Sequence, residues 1–237
     1  MAGTDAAGVE SATTASALDL ETRKAIQGLR KLFPINPGEC HLFTREVEEV
    51  SHGVDTQERW LSDRYVMLKV EGHTHTDLVT EDVPDGMYKL TAGKGLIPLA
   101  ADFIAPETAG LLDHIEGNTD DWYQMHRTQW SMADDEARKM LCHASVWHGG
   151  LNTPAWERGW WPEPLAIHEG IWTEVEKHFT PPDCKRSLVK FEYAPGRPYR
   201  VSYGGTPVAY VASADFPKAM RPQALRLLGD VEDEDEG

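Results

Sequence analysis

The sequence predicts an α+β protein with two antiparallel sheets, each backed by a helix, an irregular aromatic-rich middle and disordered termini. Residues 187–212 contain three runs in which apolar and polar residues alternate, separated by Pro/Gly turns, and this pattern is typical of a three-stranded antiparallel meander. Residues 18–33 and 167–179 place apolar residues at helical spacing. A sheet with one apolar face needs a covering layer, so each helix is expected to cover the strands that follow it.

The first unit is predicted over residues 18–112. Its helix, LDLETRKAIQGLRKLF, ends at Pro34, because proline cannot continue a helix. Strands are predicted after it at residues 41–50, 60–70 and 87–90. The segment 60–70 is the strongest of them, since its alternate positions are apolar.

The remaining chain is divided into three parts. Residues 113–160 are predicted to be irregular or helical and rich in tryptophan, with DDEARKML at 134–141 as a helix. Residues 161–228 form the second helix-plus-meander unit. The small-residue leader at 1–17 and the acidic tail at 229–237 are expected to be disordered.

Composition narrows the class of protein. The chain has 237 residues and a net charge of −16, which disfavours an open nucleic-acid surface because phosphate binding needs clustered Lys and Arg. No apolar run is long enough to span a membrane and no secretory signal is present, so a cytoplasmic protein without a membrane partner is expected. Cys40, Cys142 and Cys184 are far apart and are predicted to be reduced.

Basic residues stand out on the first helix, at Arg23, Lys24, Arg30 and Lys31. Together with the segment WLSDRYVML at 60–68 and the repeated helix-then-strands order, they resemble the domains of DNA sliding clamps. The resemblance covers residues 18–70 and 165–212. It implies a clamp-like fold acting in DNA replication, with the four basic residues on an inner face toward DNA. The second helix departs from this pattern because it is acidic.

The stretch His73-Thr74-His75-Thr76-Asp77 follows a predicted strand. It resembles the H-x-H-x-D-H motif of metallo-β-lactamase-type hydrolases. That resemblance implies that His73, His75 and Asp77 hold zinc or another divalent metal and lower the pKa of a bound water. Leu78 stands where the motif has histidine, and a polar loop is the alternative interpretation.

Trp156, Trp160 and Trp161 lie in a segment without clear periodicity. Large aromatic side chains dominate the energetics of protein interfaces, so these residues are the candidates for a partner or self-association interface. A stacking platform for bases or sugars is the alternative, which the nearby acidic residues oppose.

No catalytic constellation is evident in the sequence. The leading hypothesis is therefore a non-enzymatic interaction or accessory protein without a cofactor, of the sliding-clamp kind, which binds a protein partner or itself. The first alternative is a metal-dependent hydrolase that uses His73, His75 and Asp77. The second is an acidic DNA mimic or partner-blocking protein that acts through residues 230–236.

Overall fold

The computed structural model describes residues 20–33, 39–49, 54–63, 65–70, 83–91, 95–99, 112, 115–116, 121–132, 139–149, 154–155, 158–181, 183–214, 216 and 218–232. Three helices in these ranges have defined bounds: α1 (Leu20–Leu32), α2 (Glu169–Phe179) and α3 (Arg221–Glu232), the last preceded by a 3-10 turn at Lys218–Met220. Leu112, Ile115 and Glu116 are also helical. None of the helices in this part of the chain is both long and apolar enough to cross a lipid bilayer.

In the described part of the chain, eleven strands form one antiparallel sheet. They are β1 (Glu39–Glu49), β2 (Val54–Ser62), β3 (Val66–Lys69), β4 (Gly86–Thr91), β5 (Gly95–Pro98), β6 (Tyr123–Met132), β7 (Lys139–His148), β8 (Gly159–His168), β9 (Val189–Tyr193), β10 (Tyr199–Tyr203) and β11 (Thr206–Val211). Their order across the sheet is β5-β4-β1-β2-β3-β11-β10-β9-β6-β7-β8.

The predicted fold class, two separate helix-backed sheets in a clamp-like arrangement, is therefore wrong. The two sets of strands join because β3 pairs with β11, with Leu68 opposite Ala209. All four residues of β3 are buried, so both faces of this strand are covered. A strand that is buried on both faces is suited to the interior of a sheet and not to its edge. Pairing with β11 places β3 in the interior of the eleven-stranded sheet.

The segment predicted as one strand over 60–70 is a hairpin. β2 ends at Ser62 and β3 begins at Val66. Between them, Oδ1 of the buried Asp63 accepts hydrogen bonds from the backbone N–H groups of Tyr65 (2.9 Å) and Val66 (2.8 Å). Aspartate commonly stabilises turns in this way. The aspartate that contributed to the clamp resemblance therefore reverses the chain.

The middle of the chain, predicted to be irregular, contains two long strands, β6 and β7. β7 occupies part of the segment predicted as a helix, and residues 133–138 lie outside the described residues. The side chains of Met140, Cys142, Ala144 and Val146 are buried at every second position. This strand periodicity is obscured in the sequence because the large apolar residues Leu141 and Trp147 occupy two of the intervening positions.

The β3–β11 junction divides the single sheet into two halves. From the β3–β11 junction outward, the strands follow as β3, β2, β1, β4 and β5 on one side and as β11, β10, β9, β6, β7 and β8 on the other. In each half a helix precedes the meander, α1 before β1 and α2 before β9. The halves differ in chain order, since β4 and β5 follow their meander whereas β6 and β7 precede their helix.

One face of the sheet forms the main core with α1 and α2, which also contact each other. On this face, Trp172 of α2 stacks on Phe191 of β9 with 3.8 Å between ring centroids. The sheet also curls, because Ala166 of β8 pairs with Ala214 and its carbonyl accepts a 2.9 Å hydrogen bond from the Tyr199 hydroxyl. β8 thus lies near β10 and the end of β11. The opposite face carries a second apolar cluster and the charged residues described below.

Candidate functional site

The hairpin of β7 and β8 carries three exposed indoles. Trp147, Trp160 and Trp161 are 46%, 62% and 52% exposed, respectively. Trp147 lies directly opposite Trp160, with 5.5 Å between ring centroids. Tyr123 of β6 meets Trp160 edge-on at 6.1 Å. We call this pair of strands the tryptophan hairpin.

The local sequence explains why these indoles face solvent. β7 turns its small and apolar side chains into the core at alternate positions, which leaves Trp147 on the outer positions near the strand end. Gly149 helps to hold it there, because a β-carbon at this residue would lie 2.5 Å from Nε1 of Trp147. The indole therefore covers a backbone position that only glycine leaves open.

The outer edge of β8 is protected from pairing with another strand. Pro162 and Pro164 lack backbone N–H donors, and proline is typical of protected edges. Arg221 of α3 also makes a bidentate ion pair with Glu163, with Nη1–Oε1 at 3.0 Å and Nη2–Oε2 at 2.8 Å. The hairpin consequently offers aromatic side chains rather than a free backbone edge.

Two residues of the predicted interface, Trp160 and Trp161, are neighbours on β8 and point to opposite faces of the hairpin, and their role in an interface stays a prediction. Trp160 and Trp161 are both exposed, as an interface would require, whereas Trp156 lies outside the described residues. Sequence analysis missed Trp147. Trp147 lies opposite Trp160 because β7 pairs with β8. It could have been predicted from the sequence only if β7 had been recognised as a strand.

The four residues predicted to face DNA are exposed on α1: Arg23, Lys24, Arg30 and Lys31. The basic surface borders the acidic helix α2, and Nζ of Lys31 lies 3.9 Å from Oε1 of Glu174. The same carboxylate receives a 3.0 Å hydrogen bond from Lys177. The basic residues therefore lie beside acidic ones, and DNA contact through them stays a prediction.

The predicted metal ligands His73, His75 and Asp77 lie outside the described residues. Within the described part of the chain, no group of three or more histidine, cysteine, aspartate or glutamate side chains is arranged to hold a metal ion. The metal-site hypothesis therefore stays a prediction.

A second polar site lies on the sheet face opposite α1 and α2. It is a cleft of about 280 Å³, lined by Arg45, Val47, Glu58, Glu116, Trp122, Arg200, Pro207 and Tyr210. We call it the Arg45 cleft. It brings together both halves of the sheet, since Arg45 belongs to β1 and Tyr210 to β11.

Arg45 is the centre of a buried charged network, with only 8% of its side chain exposed. Its Nε and Nη2 donate to Oε2 of Glu58 at 2.9 and 2.6 Å, and its Nη1 donates to Oε2 of Glu116 at 2.6 Å. Lys69 lies 2.9 Å from the other Glu58 oxygen. Burial alone would raise the pKa of Glu58, but the hydrogen bonds from Lys69 and Arg45 outweigh it and the pKa is lowered.

Tyr210 connects this network to the second half of the sheet. Its hydroxyl donates a 2.6 Å hydrogen bond to Oε1 of Glu116. Burial and this carboxylate raise the pKa of Tyr210 far above its ordinary value, so the phenol stays protonated and acts as a donor. Its cross-strand neighbour Arg200 lies over the Trp122 ring at 4.2 Å and donates from Nε to Glu192 at 2.7 Å.

Comparison of this chain with known protein families, with curated proteins and with solved structures gives no match. Function is therefore inferred from the geometry of the tryptophan hairpin and the Arg45 cleft.

Proposed function

We propose that this chain is a non-enzymatic accessory protein that binds a basic partner protein through the tryptophan hairpin. The observation that carries the proposal is the exposed pair of Trp147 and Trp160, which lie opposite each other on one face of the hairpin. Contiguous exposed aromatic surface is costly in water and is characteristic of interaction sites. Tryptophan is also among the residues that contribute most to binding when an interface buries them.

The charge of the chain indicates what kind of partner fits. With a net charge of −16, a second copy of the chain would be repelled, whereas a positively charged partner would be attracted. Arginine and lysine side chains also bind the faces of indoles through cation–π contacts. A partner segment that combines basic and apolar residues therefore suits this surface better than self-association does.

The mode of binding follows from the protected edge. Pro162, Pro164 and the Glu163–Arg221 ion pair oppose strand addition to β8. The partner is accordingly expected to pack its side chains on the indoles, and the affinity should depend on the tryptophans and on salt concentration.

The other hypotheses have less support. The sliding-clamp interpretation depended on a fold resemblance that the single sheet removes. The hydrolase interpretation depends on residues outside the described part of the chain. The acidic-tail interpretation concerns residues 230–236, of which 230–232 lie in α3 and the rest are not described.

The test is selection of binders from a displayed library of random peptides, followed by affinity measurement on synthetic peptides. Selected peptides are expected to be basic, and their binding should weaken at least about tenfold in Trp147→Ser/Trp160→Ser. Tyr203→Ser is the matched control, because Tyr203 is 37% exposed on another strand. Equal loss in the control, or binders without basic character, would refute the proposal.

Sedimentation of the same variants tests the second copy as the occupant. The wild-type chain is expected to be monomeric at micromolar concentration. A dimer that dissociates in Trp147→Ser/Trp160→Ser would show that the hairpin binds another copy of the chain, and the basic partner would then be wrong.

A further inference from the structure

Arg200 presents an ordered guanidinium group to the Arg45 cleft. The Trp122 ring lies 4.2 Å beneath it and Glu192 accepts a 2.7 Å hydrogen bond from its Nε, so the plane and direction of the group are set. Among the described residues, no hydrogen-bond acceptor is bound to either of its Nη groups. Two parallel donors held in this way match the geometry of a carboxylate.

Glu116 presents the complementary group in the same cleft. Its Oε1 accepts hydrogen bonds from Tyr210 and Arg45, and its Oε2 accepts one from Arg45. A carboxylate has about four acceptor positions, so the hydrogen bonds from the described residues leave one position open on Oε2. The side chain is 30% exposed, and a ligand in the cleft can therefore reach it.

The charge of the lining selects against simple ions. Arg45 and Arg200 are balanced by Glu58 and Glu116, so the formal charge of the lining is zero. A phosphate dianion would meet two carboxylates, and a lone amine would meet two guanidinium groups. A ligand that carries one charge of each sign satisfies Arg200 and Glu116 together.

The size and apolar walls narrow the ligand further. The volume of about 280 Å³ corresponds to roughly nine water molecules at about 30 Å³ each. Val47, Pro207 and Trp122 supply apolar surface beside the charged groups. A small zwitterion with an aliphatic side chain fits this combination.

We propose that the Arg45 cleft binds a small zwitterion of the α-amino-acid class, with its carboxylate on Arg200 and its ammonium group on Glu116. This site is separate from the tryptophan hairpin, and neither proposal depends on the other.

The first experiment is calorimetric titration of the wild-type chain with L-leucine and with two analogues of similar shape. 4-Methylpentanoate lacks the ammonium group and 3-methylbutylamine lacks the carboxylate. Both are expected to bind at least about tenfold more weakly than leucine, because each lacks one of the two charged contacts proposed for leucine, to Arg200 or to Glu116. Inorganic phosphate is titrated as the anion control.

The second experiment uses variants whose folding is checked by circular dichroism. Arg200→Lys keeps the charge but loses the paired donors, and it is expected to weaken leucine binding at least about tenfold. Arg226→Lys, the same change at an exposed arginine of α3, should leave binding unchanged. Saturation with phosphate or 4-methylpentanoate as tight as with leucine would overturn the proposal, and so would absence of binding by any α-amino acid at about 10 mM.

Discussion

Replacement of Glu58 by glutamine removes one charge from the network beneath the Arg45 cleft and preserves the shape of the side chain. The carboxylate of Glu58 binds Arg45 and Lys69, whose side chains are only 8% and 9% exposed. It also accepts a 3.2 Å hydrogen bond from Nε1 of Trp60. The variant therefore leaves two buried cations with less negative charge than they need.

The magnitude follows from the burial of these cations. Removal of one partner of a buried ion pair costs about 3 to 5 kcal/mol, because the remaining charge stays desolvated. For a chain of 237 residues, each kcal/mol corresponds to roughly 2 to 4 °C in melting temperature. Glu58→Gln should thus lower the melting temperature by about 6 to 20 °C.

Urea unfolding, followed by tryptophan fluorescence, measures the change in the free energy of unfolding. Glu169→Gln is the matched control, since its pair with Arg127 spans 3.4 Å and both side chains are at least one-third exposed. Such surface pairs contribute about 0 to 1 kcal/mol. Glu58→Gln/Lys69→Met should recover part of the loss, because it removes one of the uncompensated cations.

The pH dependence gives an independent measure. Because the pKa of Glu58 is lowered in the folded protein, its contribution is present above the unfolded value near 4.5 and is lost as the pH falls below it. The difference in stability between the wild type and Glu58→Gln should therefore narrow below pH 4.5. A loss no larger than that of Glu169→Gln, or a difference that is unchanged in acid, would refute the reasoning.

Three further predictions concern the core, the thiols and a turn. Trp172→Ala should lower the free energy of unfolding by about 3 to 5 kcal/mol, since it removes the ring stacked on Phe191; a loss under about 1 kcal/mol would contradict this. Ellman's reagent should modify the half-buried Cys184 in the folded protein and all three cysteines after unfolding. Burial raises the pKa of the Cys40 and Cys142 thiols to about 12 in the folded protein. The free energy of unfolding should therefore fall above pH 9, where these two thiols ionise only in the unfolded chain. Gly205→Ala should lower the free energy of unfolding, measured with urea, by about 1 to 2 kcal/mol, because the φ angle of Gly205 is +92° and alanine is strained there. An unchanged free energy of unfolding would contradict this.

The helices and the meander were predictable because each has a strong local pattern. The strands of residues 187–212 occur as β9, β10 and β11, and the turn at Gly204-Gly205 has the positive φ angles that glycine favours. The joining of the two halves was not predictable in this way. It depends on the pairing of β3 with β11, which are more than 130 residues apart in the sequence. No local periodicity encodes a contact between segments so far apart.

The candidate sites were predictable to different degrees. Trp160 and Trp161 stood out by residue type alone, since tryptophan is enriched at the energetic centres of interfaces. The Arg45 cleft was not found, because Arg45, Glu58, Glu116 and Arg200 are scattered over 155 positions of the sequence and only the fold brings them together. Single charged residues in alternating strands also look like ordinary solvent-facing positions.

The junction between the two halves explains why the cleft and the charged network occur where they do. β3 and β11 share only three paired positions, so backbone hydrogen bonds alone give a short connection. Side chains extend it on the outer face, where Trp60 packs against Tyr210 at 5.8 Å between ring centroids. Glu116 then links Arg45 of the first half to Tyr210 of the second. A ligand held between Glu116 and Arg200 would add a further connection across the same junction, and its binding would therefore be coupled to how firmly the halves are joined.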